Sequence, residues 1–403
     1  METISKSGLD ELLLAMLKSE EGISDLLFVV GKPPQVEAYG LLKPFLAQPV
    51  LTGARIESLA NVIINDNPRL AKDLEQHGSC DCSFPLADIC RFRTNIYRQN
   101  GSLAMVMRRL SPQIPSMESL QLPAAFREAL KEKTGLVFIT GSTGSGKTTT
   151  LAALLNEINQ TSEVHIVTLE DPVEFLHPHL KATFSQRELG RDFFNFPEGL
   201  RAALRQAPKI IFVGEIRDRE TMEIALTAGE TGHLVFSTLH TNNAAQSINR
   251  ILGLFNRDEE AQVRERLVGS LRYIISQRLV PKVGGGRFLV TEMMGSSLRT
   301  REVISLGEND NRRLAEIIES GNVSGWHSFE QSLLKAFEAD LVTEETVMLY
   351  CTNKVSMHQR LDMVNRRRET ARIANTLKMR GDEPARNAKP APPPMLDEPP
   401  KPV

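Results

Sequence analysis

Gly141-Ser142-Thr143-Gly144-Ser145-Gly146-Lys147-Thr148 is the stretch on which the reading of this chain turns. It fits the pattern GxxxxGK(S/T), and it stands between an apolar run at 136–140 (LVFIT), which reads as a strand, and a helix-forming run that opens at Lys147. A triphosphate needs those residue types in that order. Glycines let successive backbone amides curl around anionic oxygens, Lys147 reaches the β and γ phosphates, and Thr148 holds magnesium. The new helix turns its positive end toward the anion, with Thr149 in its first turn. Residues 141–149 are therefore expected to bind ATP with Mg2+.

Working downstream, strand-like and helix-like runs alternate: 136–140, a helix from Lys147, 165–169 (HIVTL), a helix around 197–205, 210–213 (IIFV), a helix near Thr221, and 234–238 (LVFST). Such alternation predicts an α/β fold with a parallel sheet covered by helices, which gathers its ligands at the carboxyl ends of the strands. Two acidic groups lie at such ends. Glu170, Asp171 and Glu174 follow the run 165–169, with Pro172 breaking the strand, and Glu215 follows 210–213. Glu215 reads as a Walker B element with Glu in place of Asp. Hydrolysis needs a group that positions the attacking water, so these carboxylates are the candidates. His233 and His240 bracket the strand between them; His240, past the carboxyl end, suits phosphate sensing or transition-state contact, while His233 sits at the opposite end.

Upstream, residues 9–17 place Leu9, Leu12, Leu13, Met16 and Leu17 on one helical face, and 25–30 reads as a strand. The runs 90–99 and 103–110 are joined by Asn100-Gly101, a hairpin dipeptide. A small α+β domain is expected over 1–111, a linker over 112–122, and a helix from Pro123 that stops at Gly135. The ATPase domain with a helical C-terminal region is placed at 123–355. There, Val263, Leu267, Leu271, Ile274 and Arg278 suggest one face of a long helix, and Ser328 with Gln331 forms a capping-box pattern. From Arg366 to 403 the chain turns basic, then proline-rich, and is expected to be a disordered tail. Its basic stretch reads first as a solvated face, with contact to a partner or acidic lipid as the alternative.

The bulk properties exclude more than they assert. With 403 residues there is room for two cores plus a tail, and 41% hydrophobic with 24% charged residues is ordinary for a globular chain. A net charge of -2 supplies no global attraction to nucleic acid. No run approaches the ~20 apolar residues that span a bilayer, and the start METISKSGLDELL lacks a secretory layout, so the chain reads as cytoplasmic. Cys80, Cys82, Cys90 and Cys351 include no CxxC pair; even with His77 they fall short of four well-spaced zinc ligands and read as reduced thiols.

GSTGSGKTT, EDPVEF, VGEIRDRET and ETGHLVFSTLHTNNA, in that order, resemble the Walker A, Asp box, Walker B and His box of the type II/type IV secretion ATPase superfamily. The resemblance extends from about residue 5 to about residue 355, through CRFRTN, MRRL, QRLVPK and GWHSFEQSL. Within the superfamily the chain is most similar to PilT/PilU-type pilus-retraction ATPases, since few residues precede the core and no tetracysteine module is present. LRQAP, RETM and TNNAAQ lean toward the PilU-like branch.

The resemblance implies a PAS-like N-terminal domain, a RecA-like ATPase domain, and a homohexameric ring with ATP held between the two domains. It implies that Glu174 polarises water, that Glu215 stands near Mg2+, and that Arg91, Arg93 and Arg108 approach the γ-phosphate, with His233 and His240 forming the His box. The implied partners are an inner-membrane pilus platform protein and a second retraction ATPase of the same family, at the inner face of the inner membrane. SDLLF lacks the histidine of the usual SDLH, and the retraction signature survives only as a vestige at 301–304, which fits an accessory motor. Two alternatives stay open from sequence: a pilus-assembly or secretion ATPase, and a nucleotide-gated adaptor without turnover.

Overall fold

The computed structural model describes residues 4–87, 89–110, 113–308, 313–321 and 325–381. Two sheets organise it. The first has six strands: β1 (Ile23–Phe28), β2 (Gln35–Ala38), β3 (Leu41–Pro44), β4 (Ser79–Leu86), β5 (Cys90–Gln99) and β6 (Ser102–Leu110), in spatial order β3-β2-β1-β6-β5-β4. All its pairings are antiparallel. Helices Lys6–Lys18, Gly53–Ile64 and Pro68–His77 supply Leu9, Leu13, Ile56, Leu59, Leu70 and Leu74 to a core shared with Leu26, Phe28 and Phe92. Asn100 and Gly101 take the positive φ values, 47° and 75°, that a tight hairpin demands, and they turn β5 into β6 as their sequence predicts.

The second sheet holds β7 (Gly135–Thr140), β8 (His165–Glu170), β9 (Thr183–Glu188), β10 (Ile210–Val213), β11 (Leu234–Leu239), β12 (Leu271–Pro281) and β13 (Arg287–Gly295), in order β13-β12-β7-β11-β10-β8-β9. Only β13 runs antiparallel to its neighbour. Every residue of β7, β10 and β11 is buried, as expected of strands covered on both faces. One cluster packs around Leu136, Phe138, Leu226 and Leu267, the other around Val137, Ile139, Leu154 and Phe236. At ~25 cal/mol per Å2 of apolar surface, such burial is the main force holding helices to the sheet.

Three expectations are corrected. The periodic run from Val263 is not one helix: the helix Glu260–Ser270 ends, Leu271 is extended (φ -65°, ψ 129°), and Ile274 and Ile275 lie in β12 beside Phe138 and Ile139 of β7. A central strand buried on both faces shows no alternation, so an apolar run there mimics a helical stripe. The helix expected from Pro123 to Gly135 is only Phe126–Leu130, and Gly135 opens β7 instead. The last helix, Lys354–Gly381, carries Arg366, Arg367 and Arg368, so the basic stretch is helical where a disordered tail was expected. Arg368 bonds Asp340 and the carbonyls of Phe337 and Glu338, and its guanidinium lies 4.7 Å from the Phe337 ring centre. The proline-rich stretch 382–403 lies outside the described residues, as do positions 111 and 112 at the start of the linker. Ser328 and Gln331 do form a capping box, at the head of Phe329–Glu338.

Candidate active site

The loop between β7 and the helix Lys147–Thr161 has the backbone its glycines allow. Gly144 and Gly146 sit at φ 77° and 87°, and a methyl added at either would meet nothing within 4 Å, so a bare, open cradle of amides faces the cleft. Gly141 serves a different need: a Cβ there would fall 2.4 Å from Ser145 Oγ and 2.6 Å from the Gln277 carbonyl. Lys147 is buried, and its ammonium donates to the carbonyls of Gly141 (2.9 Å) and Ser142 (3.0 Å). Burial pushes the Lys147 ammonium pKa down, against the opposing pull of Glu215 and Glu174. Ser145 Oγ is buried without a protein partner. A buried cation resting on its own loop, an orphaned hydroxyl and an open glycine cradle together fit an anionic phosphate chain.

This loop opens into a cleft of about 960 Å3 whose walls come from both sheets. Thr143 through Thr149 form its floor; Glu174, Glu215 and His240 stand at the strand ends; Arg93 and Arg108 come from the N-terminal sheet. Arg93 and Arg108 face each other in the β5–β6 register, so their guanidinium groups enter side by side. Arg108 also donates to buried Asp25 at 2.9 Å, which holds the half of its side chain nearest the sheet.

Glu174 follows the break at Pro172 and stands in the cleft with Thr148, whose side chain favours its ionised form. Its carboxyl is pushed up by burial, against Arg93, the Thr148 side chain, Arg108 and Lys147. One carboxylate thus faces Thr148, Lys147 and two arginines. Such a group can take up or orient a water proton beside a bound phosphate. Glu215 differs: burial alone would raise its pKa, but a 2.7 Å hydrogen bond and the charge of Arg217, then the charge of His240, hold it below the ordinary carboxylate range. Its Oε1 lies 3.4 Å from His240 Nε2, and Thr238 donates to the neighbouring Gly214 carbonyl at 2.7 Å. An ionised carboxylate in this place suits a divalent cation, and a hydroxyl plus one carboxylate is the small protein ligand set that Mg2+ usually takes beside phosphates.

Two expected site residues are placed elsewhere. Arg91 is not among the cleft residues; its guanidinium is bonded to Val173, Glu188 and Ser83. His233 stands at the amino end of β11, with Nδ1 3.2 Å from the Ala228 carbonyl, roughly 20 Å of strand away from His240. Conversely, Arg217, Thr238, Lys282 and Arg287 line the cleft although the sequence reading did not single them out. Arg217 is legible in GEIRDRE, four residues past the end of β10 and two past Glu215. Lys282 and Arg287 were hidden because the run through Arg278 suggests a helix, so the β12–β13 hairpin that carries them is not expected from sequence.

Glu170 closes β8 beneath the site and is held by Thr168 (2.7 Å) and Gln186 (3.3 Å). Burial pushes its carboxyl to about 7 from an ordinary 4.5, only partly opposed by those two hydrogen bonds. The folded chain therefore keeps a proton that the unfolded chain has released, so stability is full below 4.5 and falls as pH rises through about 7. Melting curves across that interval should show Glu170→Gln gaining on the parent chain as pH rises; a constant difference would mean that Glu170 does not titrate there.

A profile described as "Type II/IV secretion system protein" matches residues 74–286. A Pseudomonas aeruginosa protein named as the type IV pilus retraction ATPase PilT is 40% identical over 332 residues, covering 82% of this chain and 95% of that one. The type IV pilus ATPase PilU of the same organism is 35% identical over 338 residues, covering 84% and 87%. Among solved structures, the pilus retraction motor PilT with bound ADP superposes with a TM-score of 0.78 at 38% identity, over 87% of this chain and 98% of that one. By profile, relatives and fold alike, the chain belongs to the type II/IV secretion system protein family, as an ATPase of the PilT/PilU type.

Proposed function

We propose that this chain is a motor that hydrolyses ATP in the cleft between its two sheets to drive type IV pilus retraction. The observation that carries the reading is Glu174, held among Thr148, Lys147, Arg93 and Arg108 at the mouth of the phosphate loop. In this reading ATP lays its phosphates on 143–149; Thr148, with Glu215 close by, would hold Mg2+, which would neutralise phosphate charge. Glu174 orients the water. Arg93 and Arg108 meet charge developing on the γ-phosphoryl oxygens, and His240, tied to Glu215, senses whether that phosphate is present.

The N-terminal unit, 1–111, is our candidate for a PAS-like domain, joined through 112–122 to a RecA-like ATPase domain at 123–355. Its walls come from both units, so relative motion of the two opens or closes the cleft, and a homohexameric ring is the assembly that would turn such closure into rotation or translation. The partners we assign are an inner-membrane platform protein and a second retraction ATPase, at the cytoplasmic face of the inner membrane. No helix among the described residues is long and apolar enough to cross a membrane. The accessory role rests on SDLLF and the vestigial 301–304 motif.

Deletion of the gene tests the reading. Cells are expected to keep or accumulate surface pili while losing surface movement, in part or fully depending on a second motor. A copy carrying Lys147→Ala should not restore movement. Loss of the pili themselves would point to assembly instead.

A further inference from the structure

Arg91 and Arg93 are two residues apart on β5 and so point to the same face of the sheet, yet only Arg93 enters the cleft. Arg91 crosses to the other unit. Its Nη1 donates to the Val173 carbonyl at 3.0 Å, and its Nη2 to Glu188 Oε2 at 3.0 Å and to Ser83 Oγ. The same Glu188 oxygen accepts from the Val173 amide at 3.2 Å, so both backbone polar groups of Val173 are held by one ion pair. That pair is sequestered, with side-chain exposures of 14% and 10%. In such surroundings the bonds are strong and demanding of geometry.

Val173 directly precedes Glu174. On the other side, Gln186 donates to the Phe175 carbonyl at 2.8 Å and accepts from the His177 amide at 2.8 Å. Glu174 is thus suspended between two pins, of which the upstream one belongs to the N-terminal sheet. A second tie from the N-terminal unit holds the residue after Glu188: Arg69 donates to the Leu189 carbonyl at 3.0 Å. Gly190 leaves room for it, since a Cβ there would fall 1.1 Å from Arg69 Nη1 and φ is +79°.

We propose that Arg91 is a positioning residue: through Val173 and Glu188 it lets docking of the N-terminal unit set the place of Glu174, rather than touching phosphate itself. The inference rests on the assignment of Glu174 as the water-orienting group. Withdrawal of the N-terminal unit releases Val173 and lets Glu174 move from its place beside Thr148, so hydrolysis becomes conditional on closure. A misplacement of ~1 Å in a reacting group is worth about 100-fold in rate.

The test is steady-state phosphate release and equilibrium binding of a fluorescent ATP analogue, with the full chain and Arg91→Met, Arg91→Lys, Glu188→Gln, the Arg91→Met/Glu188→Gln double variant and Glu174→Gln. Arg91→Met is expected to lower kcat by about 100-fold with affinity changed less than about threefold. Arg91→Lys should recover part of the loss, and the double variant should be no slower than the worse single one. An affinity loss that matches the kcat loss would make Arg91 a phosphate contact and overturn the proposal. Unchanged kcat in Arg91→Lys and Glu188→Gln, with Glu174→Gln inactive, would overturn it too, and these mild variants serve if Arg91→Met fails to fold. If Glu174→Gln itself turns over at the parent rate, the assignment of Glu174 fails and the positioning role falls with it.

Discussion

Lys147→Ala is expected to abolish measurable ATP binding at concentrations that saturate the parent chain. The ammonium is the single buried cation of the phosphate loop, already desolvated and held 2.9 Å from the Gly141 carbonyl. Part of the cost of bringing it into the site is therefore met before the ligand arrives. Removing one partner of a buried, hydrogen-bonded charge pair costs roughly 2 to 5 kcal/mol, which is about 30-fold to several-thousand-fold in affinity. The fold should survive, because the helix Lys147–Thr161 is anchored by Leu151, Leu154 and Ile158 rather than by the lysine. Titration of a fluorescent nucleotide measures the loss, and a melting curve within a few degrees of the parent's separates it from unfolding. Retained affinity would show that the phosphates sit elsewhere.

Glu174→Gln is expected to do the opposite to binding and worse to chemistry. Glutamine keeps the shape of the side chain beside Thr148, but it cannot take a proton. Losing a positioned general base costs on the order of 100-fold to 10,000-fold in kcat. Affinity for ATP should hold or rise, because a carboxylate close to the phosphates is replaced by a neutral group while Arg93, Arg108 and Lys147 remain. Weaker binding in this variant would mean that Glu174 serves the cation rather than water.

How much of this was legible depended on whether local chemistry or distant packing decided each residue. The phosphate loop was fully legible, since strand, glycines, lysine and helix follow one another in the chain. So were the ends of β8, β10 and β11, where polar residues interrupt apolar runs. What local pattern could not supply was partnership across the molecule. β9 has only Phe184 and Glu188 buried, and its role is seen only beside β8. β12 passed for helix because both of its faces are covered. Arg91 and Arg93 share one motif and one face of β5, yet one holds backbone and the other faces the ligand cleft; nothing within CRFRTN distinguishes them, because Val173 and Glu188 are 82 and 97 residues away. His233 and His240 match one box, but the strand between them carries them to opposite ends of the sheet.

The most direct test of the account is steady-state phosphate release from the purified full chain with ATP and Mg2+, run beside Glu174→Gln under the same conditions. The account predicts turnover by the parent chain that depends on Mg2+, and a variant that binds ATP but releases no phosphate above background. Binding without turnover in the parent chain would contradict it, leaving a nucleotide-gated adaptor whose motor lies in another protein.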